Sequence, residues 1–146
     1  MFVLADKLSE VLRELQFDVV RNPPPDGACQ FDAVSHQLLT VKSATCGPVS
    51  LDASSLRENV VKYLKENESS FVDFISVSSS EKYLTDMGDP KTHGDHITLL
   101  ALSRLFSVQF LVLCSLGVDK TVLISPDASQ TLQAFMLIFD QVLLNV

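Results

Sequence analysis

An α+β fold is predicted by a change of pattern along the chain. Up to residue 106 the apolar residues recur at helical spacing. From Val108 onward they come in short continuous runs rich in Val, Ile, Leu and Phe, which read as buried strands. Gly117 and Pro126 fall between those runs, where turns are needed. Helices first and strands last give an α+β domain, and no internal repeat or low-complexity linker divides the 146 residues.

Leu4, Leu8, Val11, Leu12 and Leu15 predict an amphipathic helix at the start. Asn22-Pro23-Pro24-Pro25-Asp26-Gly27 stops it, because consecutive prolines remove donors and force extended geometry. Phe31, Val34 and Leu38 share one face of a second helix that begins close to Cys29. Val41 to Ser54 is expected to be a loop with a turn at Gly47-Pro48. Ser55-Leu56-Arg57-Glu58 has the capping-box pattern and opens a helix with an apolar face of Leu56, Val60, Val61 and Leu64. Phe71, Phe74 and Ile75 suggest a further short helix, and Ser80 caps another that carries Tyr83, Leu84 and Met87. Gly88-Asp89-Pro90 breaks the chain before Asp95, a natural cap for the apolar helix Ile97 to Phe106. The expected strands are Val108 to Cys114, Thr121 to Ile124, Leu132 to Phe139 and Val142 to Val146.

The length and an apolar content of 47% suffice for a core without disulfides or a structural metal. A formal charge of −7 and the absence of any basic stripe argue against nucleic-acid binding, which takes clustered Lys and Arg. The three cysteines, Cys29, Cys46 and Cys114, are odd in number and far apart, which suggests neither a disulfide framework nor a zinc knuckle. The apolar start is interrupted at once by Asp6, Lys7 and Glu10, and no stretch reaches transmembrane length. An intracellular, cytoplasmic protein without a membrane partner is expected.

The chemistry concentrates in Pro25-Asp26-Gly27-Ala28-Cys29-Gln30-Phe31. A Pro-rich loop delivers Asp-Gly into a tight turn and sets a cysteine at a helix N-terminus. The unpaired amides and the helix dipole there favour a thiolate, the reactive form of cysteine. The same N–H groups suit an oxyanion developing on a substrate carbonyl. Taken alone, the segment also fits a buried cysteine that happens to begin a helix.

Asp26 to Leu38 resembles the nucleophile motif of the OTU (ovarian tumour) family of cysteine deubiquitinases, whose core is Asp-Gly-x-Cys followed by an aromatic-bearing helix. Leu56 to Leu64 is similar to the family's next helix. Tyr83-Leu84 through Met87, followed by His93-Gly94-Asp95-His96-Ile97-Thr98-Leu99, resembles its third block. Val108 to Leu113 with Ser115-Leu116-Gly117 fits the strand and turn after that. The blocks arrive in order over residues 20–146. The resemblance implies a papain-like fold, with a small central β-sheet packed between helices. It also implies hydrolysis of (iso)peptide bonds at the C-terminus of ubiquitin or polyubiquitin through a thioester on Cys29. Asp26 would shape the oxyanion loop together with Gly27 and Ala28, and no metal or organic cofactor would be needed.

The sequence departs from the family at three places. Val142 and Leu143 stand where the terminal strand normally carries the general-base His and an aromatic, and valine cannot take a proton. His93 stands where Trp usually precedes Gly-Asp, and Ala28 where Asn is common. Of the histidines, His36 lies seven residues past Cys29, about 10 Å along a helix, too far for a bond of about 3 Å. His96 reads as a helix-start polar residue. His93, in a Gly-bordered loop, is the substitute base the sequence offers, against its reading as a surface residue. Two functions of different class therefore stand: an OTU-type hydrolase with Cys29 as nucleophile, or a catalytically impaired OTU domain that binds ubiquitin.

Overall fold

In the computed structural model the described residues are 10, 13–14, 16, 26–42, 52–71, 80–114, 117–125 and 133–139. From Cys29 onward, the described residues form four helices: α1 (Cys29–Lys42), α2 (Ala53–Glu66), α3 (Ser80–Met87) and α4 (His96–Phe106). A 3-10 turn, Glu68–Phe71, follows α2. Three strands complete the order, β1 (Val108–Cys114), β2 (Gly117–Ile124) and β3 (Gln133–Phe139). The expected N-terminal helix, Cys46, the Phe74–Ile75 segment and the strand Val142 to Val146 lie almost wholly outside the described residues; Glu10, Arg13 and Glu14 are helical.

Two of the helices, α2 and α4, begin where a side chain satisfies their unpaired amides. For α2 that residue is Asp52, whose carboxylate accepts the Ser55 N–H at 2.9 Å and the Ser55 hydroxyl at 3.1 Å. The predicted cap at Ser55 is thereby corrected. Ser55 is the third residue of the helix, because a carboxylate three positions upstream already meets its amide. Asp95 caps α4 as expected, in a full capping box. Its carboxylate accepts the Thr98 N–H at 3.0 Å, and the Thr98 hydroxyl accepts the Asp95 N–H at 2.8 Å. At the other end, Ser107 takes the left-handed conformation that closes the helix (φ 54°), a position where glycine is commoner.

The sheet has the order β2-β1-β3 and is mixed. β2 runs antiparallel to β1 with Phe110 opposite Ile124, and β3 runs parallel to β1 from Val108–Gln133 to Cys114–Phe139. α4 lies against β1 and β2, α1 reaches β3, and α2 packs against both α1 and α4. The apolar faces meet in one core: Phe31, Val34 and Leu38 from α1, Leu56, Val60 and Leu64 from α2, Leu99 to Leu102 from α4, and Val108, Phe110 and Val112 from β1. Fully burying a side chain of this kind is worth roughly 1.5–3 kcal/mol.

The expectation of buried strands holds on β1 and only in part on β2. β1 alternates, with Val108, Phe110 and Val112 buried while Gln109 and Leu111 are half-buried. On β2, Val122 and Leu123 are exposed and Ile124 is buried. Among the described residues, α4 packs against β1, and β2 is an edge strand. No described helix is long and apolar enough to cross a membrane.

Candidate active site

Cys29 is the first residue of α1, and Asp26, Gly27 and Ala28 form the turn that leads into it. Asp26 closes this turn twice. Its carboxylate accepts the Ala28 N–H at 3.0 Å, and its carbonyl accepts the Cys29 N–H at 3.2 Å. Two of the amides expected to be open for an oxyanion are therefore occupied, that of Ala28 by the Asp26 side chain and that of Cys29 by the Asp26 carbonyl.

The thiol is buried. Burial pushes its pKa above the ordinary value, and the Asp26 and Asp32 carboxylates push the same way. Only the amides of Gln30 and of Cys29 itself oppose them. Desolvation and two nearby negative charges thus act against the thiolate that a helix N-terminus favours.

The loop between α3 and α4 closes over this turn. A methyl group on Gly27 would lie 2.6 Å from the Pro90 carbonyl oxygen and closer still to the Lys91 carbonyl, so only glycine fits. A methyl group on Gly94 would overlap the Gln30 side-chain amide. Gln30 is buried, donates from Nε2 to the Asp95 carbonyl at 3.2 Å and accepts the Thr98 hydroxyl at Oε1 at 2.6 Å. The Tyr83 hydroxyl donates to the Asp95 carboxylate, at 2.8 and 2.9 Å from its two oxygens. Burial, with Asp95 beside it, raises the Tyr83 pKa.

His93 is exposed on the stretch between Lys91, which touches Gly27, and Gly94, which touches Gln30. Its neighbours thus bracket Cys29 from both sides in sequence. His36 lies farther along α1 and His96 is the first residue of α4. Val142 and Leu143 lie outside the described residues. Among the described residues, no group of three or more His, Cys, Asp or Glu is placed to hold a metal ion.

Sequence reasoning missed Arg57 as a site residue. Its guanidinium is buried, with Nη2 donating to the Gly27 carbonyl at 2.8 Å and to the Pro90 carbonyl at 3.3 Å. Nη1 donates to the Met87 carbonyl at 2.9 Å, and the group stacks 4.5 Å from the centre of the Phe31 ring. The signal was present in the spacing. Arg57 precedes Val60, Val61 and Leu64 by three, four and seven positions, which puts a charge on the apolar face of α2.

Residues 24–144 match the family described as OTU-like cysteine protease. The chain belongs to this family. The match takes in the DGAC turn, the α3–α4 loop and the positions of Val142 and Leu143. Two solved OTU domains share the fold. The OTU domain of OTUD1 superposes with a TM-score of 0.68 at 17% identity, covering 92% of this chain and 85% of that one. An OTU domain solved in complex with ubiquitin gives 0.59 at 19% identity, covering 82% and 62%.

Among relatives by sequence, the chain is similar to the UDP-N-acetylglucosamine transferase subunit ALG13 of Mus musculus, 32% identical over 87 residues. That match takes in 60% of this chain and 7% of the mouse protein. It is also similar to the ovarian tumor domain-containing deubiquitinating enzyme 10 of Arabidopsis thaliana, 28% identical over 134 residues, 92% of this chain and 35% of that protein. The OTU chain thus spans a minor part of the curated relatives it matches.

Proposed function

We propose that this OTU domain is a cysteine hydrolase of ubiquitin conjugates in which Cys29 is the nucleophile. One observation carries the reading: Cys29 begins α1 in an Asp-Gly-Ala-Cys turn against which the α3–α4 loop is packed. A cysteine that served only as core would not need Gly27 pressed against Lys91 or a turn closed by an aspartate. The deubiquitinating relative and the neighbour solved with ubiquitin support the choice of substrate.

The Cys29 sulfur attacks the carbonyl carbon of the scissile bond, and its proton passes to a base. The tetrahedral oxyanion collapses, the C–N bond breaks and the amine leaves with that proton. Water then attacks the Cys29 thioester, releasing the ubiquitin carboxylate and restoring the thiol. We assign the base to His93, because it lies on the loop packed against Gly27 and Gln30 and residues 142 and 143 are Val and Leu. For the oxyanion to be held, the Asp26 carboxylate must release the Ala28 amide, so substrate binding includes a small rearrangement of the turn. The proposed setting is the cytoplasm.

The test is to incubate the protein with ubiquitin bearing a cysteine-reactive C-terminal electrophile. A covalent adduct is expected from the wild type and none from Cys29→Ala. His93→Ala should form adduct about 10²–10⁴-fold more slowly, the usual worth of a general base. Binding of ubiquitin without an adduct, from a protein that melts cooperatively, would leave an interaction module in place of a hydrolase. An unchanged rate in His93→Ala would remove His93 as base.

A further inference from the structure

We propose that Arg57 is the positioning residue of the nucleophile turn: its guanidinium ties the Gly27 carbonyl to Met87 and Pro90 and so fixes where Cys29 sits. The inference rests on the hydrolase reading. The tie joins three segments, α2, the turn before α1, and the end of α3 with the loop that follows it. One terminal nitrogen serves the turn and the loop, and the other serves the end of α3. Phe31, two residues past Cys29, carries the guanidinium over its ring.

The hydrogen-bond acceptors are carbonyl oxygens and the Met87 sulfur, while the Asp89 carboxylate acts on the guanidinium through its charge. A guanidinium buried on carbonyls is costly to desolvate and adds little net stability compared with an apolar side chain of equal size. What it contributes is geometry. A planar fork reaches separated acceptors at once, whereas an ammonium is a single point. The peptide that carries the Gly27 carbonyl also carries the Ala28 amide on its opposite side. Pinning the carbonyl therefore fixes the direction of that amide while leaving the Asp26 carboxylate to move away from it.

The experiment compares wild type, Arg57→Lys and Arg57→Met by three readouts. These are turnover of a ubiquitin C-terminal fluorogenic amide, thermal melting, and hydrogen exchange of the amides at residues 27–30. Both variants should lose kcat about 100-fold, the cost of misplacing a nucleophile by about an ångström. KM should stay within about threefold, since the Arg57 side chain is buried away from any surface that could bind substrate. Exchange at residues 27–30 should quicken while exchange in α2 and β1 is unchanged. Unchanged kcat and unchanged exchange in either folded variant would overturn the assignment. A variant that unfolds as a whole, with every amide exchanging together, would overturn it too, by making Arg57 a general stabiliser. Should the wild type itself fail to turn over, the hydrolase reading fails, and exchange at residues 27–30 still decides whether Arg57 holds the turn.

Discussion

At the scale of the residue, Cys29 is governed by a contest between local terms. The start of α1 offers amides and a positive dipole end, worth about 0.3–1 kcal/mol near a surface. Burial and the carboxylates of Asp26 and Asp32 act against the thiolate and raise the pKa. The reactive form therefore accumulates only as pH rises through a pKa above the ordinary value of 9.0. Alkylation of Cys29 by iodoacetamide should keep accelerating past that pH, with no plateau near neutrality. A plateau below about pH 7.5, the range of activated cysteines, would show a thiolate already poised in the resting protein. The sequence made the cysteine and its helix legible, but not this outcome. The sign depends on how deeply the sulfur is covered and on where Asp26 turns its carboxylate, and neither is written in the spacing.

Among the elements, α4 has the most heavily used start. Asp95 caps it, completes a box with Thr98, and takes the Tyr83 hydroxyl from α3 on the same carboxylate. Asp95→Ala should cost roughly 0.5–2 kcal/mol for the cap. A further 1–3 kcal/mol or so follows from leaving the Tyr83 hydroxyl without its partner. Urea unfolding would measure the loss, and a loss below about 0.5 kcal/mol would mean that water replaces both contacts. The Asp95 cap was readable because an acidic residue stands directly before an apolar periodic run. The start of α2 was not, because Asp52, Ser54 and Ser55 all suit a cap and only geometry chooses among them. The apolar runs that became strands gave their positions but not their coverage. Val122 and Leu123 lie on an edge whose exposure is decided by where the helices pack.

At the scale of the whole molecule, the site is a seam between two parts of the chain. One part supplies Asp26 to Gln30 and the other supplies Met87 to Thr98, with Arg57 and Gln30 as cross-ties. Gly27→Ala would force the two apart at Lys91. Overpacking of this kind costs roughly 1–3 kcal/mol, and adduct formation should fall further than the lost stability accounts for. A Gly27→Ala protein with wild-type melting and wild-type adduct yield would show that the seam can open without consequence. Family blocks in order along the sequence were enough to anticipate the fold. The seam itself was not legible, since Gly27, Arg57 and Gly94 do their work through contacts with residues far off in sequence.

The cross-tie from Gln30 to Asp95 spans 65 positions of chain. During synthesis the nucleophile leaves the ribosome before Asp95 does, and its pocket waits for the second part of the seam to emerge. At elongation rates of about 5–20 residues per second, that interval lasts several seconds. A growing chain in that interval carries its cysteine unshaped, so ribosome-bound intermediates that end before Asp95 should be inert towards ubiquitin conjugates while the domain is still being made.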